Sequence, residues 1–147
     1  KEVVRKLLKA RLEKAKPTTR EELNEAWFGY SNPNPAHYDH ARYRAINLNN
    51  VWRTGTVEVR AFNGTNHAGE VKSHIVLCLA IAALAKNAKC ASTKNQRPFC
   101  AESAKYDMRV FLLRLGLIGE EFKNVRMHLL KHLPGSTAWK HGRPEGR

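Results

Sequence analysis

The stretch Thr56-Val57-Glu58-Val59-Arg60-Ala61-Phe62-Asn63-Gly64-Thr65 decides how this sequence is read. Polar and apolar residues alternate through its first half, the period of a half-buried strand. Val57, Val59 and Ala61 fall on one face, and Thr56, Glu58, Arg60 and Phe62 on the other. Asn63-Gly64-Thr65-Asn66 then closes the strand with turn chemistry. Glu58 and Arg60 stand two apart, so a carboxylate and a guanidinium leave the same face. The carboxylate suits a hard divalent cation, and the guanidinium forks onto phosphate oxygens. An ion pair on a solvated face has the same spacing and is the plainer account of it. Asn63, Thr65, Asn66 and His67 add polar groups at the strand's end, where a turn explains them as well.

Upstream, Tyr43–Leu48 is a second short strand-like segment. Trp52, next to Arg53, reads as a packing residue or as part of a nucleotide wall. The segment from Gly29 to Asp39 contains Ser31-Asn32-Pro33-Asn34-Pro35 and is expected as an extended loop. Before it, Thr18 and Thr19 stand three residues ahead of Glu21 and Glu22, a capping-box signature for a short helix to about Phe28. Residues 2–15 place Val3, Val4, Leu7, Leu8 and Leu12 at helical spacing, and Pro17 ends that helix.

Downstream, Ala68–Lys86 is expected as a long helix. Val71, Ile75, Leu77, Leu79, Ala82 and Leu84 make it apolar on most sides, which predicts a central position. A polar loop covers residues 87–98. Ser103 opens a helix with Met108, Val110, Phe111, Leu112 and Leu115 as its apolar set. Glu120–Leu133 is the last helix, stopped by Pro134-Gly135, and residues 134–147 form a polar tail. The expected class is α+β, helix-dominated, with two or three antiparallel strands. The expected organisation is one compact unit over residues 1–147, with a helical segment at 1–30.

Composition bounds the function. Of 147 residues, 42% are hydrophobic, enough for a packed core and too many for a disordered polycation. Lys and Arg total 26 against 13 acids, a net charge of +13. The longest uninterrupted apolar run, Ile75–Leu84, is far shorter than the ~20 residues a bilayer needs. No membrane partner is expected, and the first residues carry no signal-peptide pattern. Three cysteines without C-x-x-C point to a reducing cytoplasm. A Cys90–Cys100 bridge would close the polar loop and is the lesser alternative to free thiols, and a zinc site from His74, Cys78, Cys90 and Cys100 lacks the close ligand pairs such sites use. His37 with His40, and His128 with His132, have metal-compatible spacings, but a surface turn and a solvated helix face account for them. Phosphate-loop, dinucleotide, H-E-x-x-H and nucleophile-elbow patterns are all missing.

Tyr43-Arg44-Ala45-Ile46-Asn47-Leu48, followed by Gly55-Thr56-Val57-Glu58-Val59-Arg60-Ala61-Phe62-Asn63-Gly64-Thr65 and a helix, resembles the amidoligase family. That family belongs to the carboxylate-amine ligases, with glutamine synthetase and γ-glutamylcysteine synthetase. Its pattern runs R-Y-x-x-x-N, a gap, then G-T-x-E-[FV]-R-x-F-N-x-T. Residues 106–117 also resemble the C-terminal region of bacterial members, so the resemblance spans about 42–133, and residues 1–30 carry no distinctive motif. It implies a sheet curved around the active site with helices outside. It also implies ATP and magnesium, a carboxylate and an amine substrate, small-molecule or peptide, and an amide formed through an acyl phosphate. Carried over, Glu58 is the metal-binding and catalytic carboxylate and Arg60 the catalytic phosphate-facing arginine. Arg44, Asn47, Asn63 and Thr65 are the accompanying substrate- or phosphate-binding positions. Val59 replaces a residue that is often aromatic in the family, and it faces away from the proposed site. The relatives carry further acidic metal ligands that are not found here. The chain is therefore expected to be the C-terminal part of a glutamine-synthetase-like ligase, inactive alone, with the N-terminal remainder as its partner.

The alternative is a basic nucleic-acid-binding module. Helices 103–115 and 120–133, joined by Gly116-Leu117-Ile118-Gly119, fit a helix-turn-helix, with Lys123, Arg126, Lys131 and His132 on or near its polar face.

Overall fold

A computed structural model describes residues 2–89 and 98–142, with side chains from Leu7 onward. Cys90, and with it the Cys90–Cys100 pairing, lies outside the described residues, as do the side chains of Val3 and Val4 and the end of the tail. The chain divides into two compact units, residues 1–62 and 63–147. The division falls inside the 42–133 stretch that the resemblance treats as one core.

In the first unit, α1 (Glu2–Ala15) and α2 (Arg20–Phe28) pack together. The start of α2 forms as its sequence predicts. Thr19 Oγ1 accepts from the Glu22 N–H at 3.1 Å, and Glu22 Oε2 accepts in return from the Thr19 N–H at 3.3 Å. Gly29 ends α2 in the left-handed region, with φ of 90°. A Cβ there would meet the Arg11 guanidinium, which donates to the Phe28 carbonyl at 3.2 Å. The following loop is pinned by Asn24. Its carboxamide donates to the Asn32 carbonyl at 2.8 Å and accepts the Asn32 N–H at 2.7 Å. A 3-10 turn (His40–Tyr43) leads into β1 (Ile46–Asn47), a second turn covers Asn49–Val51, and β2 (Glu58–Val59) follows. Trp27, Phe28 and Ala41 are buried together, with Leu8, Leu48 and Trp52 against them.

The two strands are antiparallel, with Ile46 opposite Val59 and Asn47 opposite Glu58. They are much shorter than the expected Tyr43–Leu48 and Thr56–Phe62. One cause is the Asn50 carbonyl, which accepts the N–H groups of Thr54 at 2.8 Å and Gly55 at 2.9 Å and draws that segment into a turn. The apolar face of β2 is also open, with Val57 and Val59 exposed. Alternation predicts which side chains share a face, but burial of that face needs a second layer.

The second unit holds α3 (Ala68–Asn87), α4 (Ala104–Arg114) and α5 (Lys123–Leu130). α5 packs on both other helices. Leu77, Leu112, Leu117, Val125 and Leu130 are buried. The last helix is shorter than the expected Glu120–Leu133, and the Ser103 hydroxyl bonds the Asp107 side chain at 2.7 Å rather than capping the backbone of α4. α3 corrects the expectation of a central helix. Only Ser73 and Leu77 are buried on it, while Val71, Ile75, Leu79, Ile81 and Leu84 are exposed. By length and composition alone α3 is long and apolar enough to cross a membrane, with a mean hydropathy of 1.6. Counting only the unbroken run Ile75–Leu84 missed this. The helix core of a non-membrane protein passes the same test.

Candidate functional site

The site grows from β2. Asn47 and Glu58 are directly opposed across the two strands, so their side chains share a face. Asn47 is buried, 2% exposed, and its carboxamide is fully oriented. The Nδ2 group donates to Glu58 Oε2 at 2.7 Å, and Oδ1 accepts the Asn49 N–H at 2.9 Å. The other carboxylate oxygen, Glu58 Oε1, accepts from Arg60 Nη1 at 3.2 Å. This pair remains open to solvent, with the Glu58 side chain 40% and the Arg60 side chain 31% exposed. The Asn47 hydrogen bond holds the Glu58 carboxyl below the usual carboxylate range against partial desolvation, and the charges of Arg60 and Arg42 add to the lowering. The Arg60 guanidinium lies over the Tyr43 ring at 5.5 Å, and its backbone N–H donates to the Ala45 carbonyl at 2.7 Å.

Asn47 and Arg44 both make contacts inside the fold. Asn47 spends both ends of its amide inside the fold. Arg44 covers the Trp27 ring at 4.4 Å and donates to the Trp27 carbonyl at 2.9 Å. Burial pushes its pKa down. The arginine ties the end of α2 to the turn before β1 through one guanidinium nitrogen and the ring contact. Asn63 and Thr65 fall in the second unit. Thr65 belongs to the start of α3, where its hydroxyl donates to Glu70 Oε2 at 2.6 Å and accepts the His67 N–H at 3.2 Å. Asn63 is exposed.

Arg42 is the cation that sequence reasoning passed over. The motif could have found it, since Arg42-Tyr43 with Asn47 fills the R-Y-x-x-x-N pattern, and its guanidinium lies over the Tyr38 ring at 5.5 Å with Nη1 donating to the His37 carbonyl at 3.2 Å. Trp52 packs on Phe28, with ring centroids 5.3 Å apart, and its indole N–H donates to the Arg20 carbonyl at 3.3 Å. It also borders an open cleft of about 300 Å³ with Arg20, Glu21, Asn24, Ser31 and Pro33. Beside Asn47, the buried Asn49 carboxamide has no hydrogen-bond partner among the described residues, and neither has Trp27 Nε1.

The histidines are placed apart from this chemistry. His37 Nδ1 meets Arg53 Nη1 at 3.1 Å. His67 caps α3, accepting the Gly69 N–H at Nδ1 over 3.1 Å, and its ring lies 4.9 Å from that of His128. Among the described residues no group of three or more His, Cys, Asp or Glu side chains is arranged to hold a metal. A single carboxylate is still compatible with magnesium, which commonly takes one or two carboxylates and completes its shell with phosphates and water. Three of the four basic groups expected on this pair, Arg126, Lys123 and Lys131, are engaged. Arg126 donates to the Leu117 and Gly119 carbonyls at 2.8 and 3.0 Å, Lys123 pairs with Glu120 at 3.1 Å, and Lys131 bonds Glu70. A recognition helix needs such cations free to meet phosphates and bases, so the helix-turn-helix reading gains no support.

A family model described as "putative amidoligase enzyme" matches residues 1–82, more than half of the chain. The chain belongs to this amidoligase family. The match takes in α1 and α2, where no motif was legible by eye, along with the Glu58–Arg60 strand and most of α3. The likeness noted over residues 106–117 lies outside it. No curated protein and no solved structure matches the chain. As a member of an amidoligase family, the chain is tied to a ligase that forms amide bonds.

Proposed function

We propose that this amidoligase chain is part of an ATP- and magnesium-dependent carboxylate-amine ligase of the glutamine-synthetase-like group, contributing its C-terminal part. The carrying observation is the Glu58–Arg60 pair, open to solvent on β2 and oriented by the buried Asn47. Glu58 is the group that would hold magnesium, and Arg60 the group that would meet phosphate oxygens. In the reaction, an oxygen of the substrate carboxylate attacks the γ-phosphorus of ATP, and the bond to ADP breaks. The amine nitrogen then attacks the acyl carbon of the acyl phosphate. Phosphate leaves, the nitrogen loses a proton, and an amide remains. When bound, magnesium neutralises phosphate charge. Arg60 can leave Glu58 for a phosphate oxygen, because both side chains are solvated and the exchange replaces one charge-assisted bond by another.

This half-site is consistent with completion from beyond these residues. One carboxylate stands where the resemblance implies several, and the buried carboxamide of Asn49 awaits a partner. Phosphoryl transfer depends on positioning and charge neutralisation, so an incomplete set of ligands leaves little activity. The 147-residue chain alone should then release almost no ADP, and robust magnesium-dependent release from it would overturn the split site. The test of the site itself is Glu58→Gln in the complete ligase. Loss of one such group should lower magnesium-dependent ATP consumption by about two orders of magnitude. Unchanged consumption would show that Glu58 is not a metal ligand.

A further inference from the structure

The open cleft beside Trp52 has walls fixed from two sides. On one side, the start of α2 and the turn at Trp52 clasp each other. The Trp52 indole N–H donates to the Arg20 carbonyl at 3.3 Å, and the Arg20 guanidinium donates to the carbonyl of Val51. Phe28 packs against the indole, with ring centroids 5.3 Å apart. On the other side, the Asn24 carboxamide is paired at both ends with the Asn32 backbone, which places the Ser31–Pro33 loop against α2. Three segments distant in sequence thus meet through bonds of the fold itself, so the cleft is formed before any ligand arrives.

The cleft is lined by one charge of each sign. Arg20 and Glu21 are consecutive in the first turn of α2, and neighbouring side chains of a helix diverge. Both line the cleft, yet no ion pair joins them among the described residues. The Glu21 carboxylate and the Ser31 hydroxyl have no hydrogen-bond partner there either. A guanidinium has five N–H donors, and the Val51 carbonyl takes one of those of Arg20. Trp52 and Pro33 add apolar surface. A simple anion would be opposed by Glu21, and a simple cation by Arg20. A ligand that carries both charges meets a partner at each. With a volume of about 300 Å³, the cleft lies at the small end of small-molecule sites, so the two charges must be close together. An ammonium and a carboxylate on one carbon satisfy that. The end of a peptide carries only one of the two on its terminal residue.

We propose that this cleft binds a free α-amino acid with an apolar side chain. Arg20 receives the carboxylate, Glu21 and Ser31 receive the ammonium, and Trp52 with Pro33 covers the side chain. The inference stands without the reading of Glu58 and Arg60, and its failure leaves that reading unchanged.

An NMR titration with L-leucine at neutral pH tests it, read at the Trp52 indole N–H and the Ser31 amide. Both signals should shift saturably, with a dissociation constant in the millimolar range, because both protein charges are solvated. L-Leucinamide and N-acetyl-L-leucine each lack one charge and should bind about fivefold more weakly, the upper worth of a solvated ion pair. Glu21→Gln should weaken leucine by the same factor and leave the affinity for N-acetyl-L-leucine unchanged. Arg20→Gln, which keeps a donor for the Val51 carbonyl, should weaken leucine and leave L-leucinamide unchanged. Leucine that shifts neither signal, blocked analogues that bind as well as leucine, or wild-type leucine affinity in Glu21→Gln would each overturn the proposal.

Discussion

Replacing Asn47 by alanine should damage the fold and the site through different bonds, and the two effects can be read separately. Asn47 and Asn49 are each 2% exposed, and the Asn47 carboxamide is the acceptor for the Asn49 N–H at 2.9 Å. Without it, that N–H is buried and unpaired, at a cost of about 1–3 kcal/mol. Chemical unfolding followed by the fluorescence of Trp27 and Trp52, in a Trp139→Phe background, reads the first unit alone. At the site, Glu58 loses the hydrogen bond that contributes most to lowering its pKa, so its carboxyl should titrate closer to the ordinary range in an NMR titration. Asn47→Asp separates the two effects. An aspartate still accepts the Asn49 N–H, but it sets a second carboxylate against Glu58 at hydrogen-bond range, where both cannot ionise cheaply. The folded pKa of one is then raised above its unfolded value. Stability from that group is present below the unfolded value and is lost as pH rises through the folded one. The Asp variant should thus lie close to wild type near pH 4 and fall behind it towards neutrality. An Asn47→Ala penalty below about 0.5 kcal/mol, smaller than a typical hydrogen bond, would refute the account of Asn47 as the buried brace of this site.

Arg44→Ala should cost roughly 1–2 kcal/mol in the same unfolding assay, from the lost carbonyl bond and the lost ring contact. Unchanged stability would refute the bracing role of Arg44. In the second unit, Lys131 above all, and then Thr65, hold Glu70 down to about 2. A lowered carboxylate contributes stability above its unfolded pKa and loses it as pH falls, so the window here is from about 4.5 down to about 2. Thermal melts across that range should converge for wild type and Glu70→Gln, and equal gaps at pH 6 and pH 2.5 would contradict it. Leu112→Ala removes a fully buried side chain, 0% exposed, and should cost about 3–5 kcal/mol. Hydrogen exchange of α3, α4 and α5 amides would report it, and unaltered protection would show that Leu112 is not central to that unit.

The elements were legible where the deciding interactions are local. Thr19 and Glu22 close their capping box within four residues, and Gly29 ends the same helix, so both ends of α2 can be read from neighbours alone. The strands were overestimated because alternation is a local signal, whereas ladder formation needs a partner of matching length. The exposure of α3 was misjudged for a related reason. An apolar helix announces that it avoids water, but not which of its faces a given neighbour covers.

The same division runs through the candidate site. A two-residue spacing on a strand is enough to bring Glu58 and Arg60 to one face, and the surrounding motif is enough to suggest an amidoligase before any coordinates. No spacing says what Arg44 and Asn47 pack against. Arg44 is claimed by a tryptophan 17 residues away, and Asn47 by a carboxylate 11 residues away. Both are contacts across the fold, and a buried or ring-stacked polar group goes where its hydrogen-bond partners are. Sequence determined which chemical groups this protein brings to the strand. Tertiary structure decided which of them brace it and which remain free to meet a ligand, because desolvation is a property of the assembled surroundings.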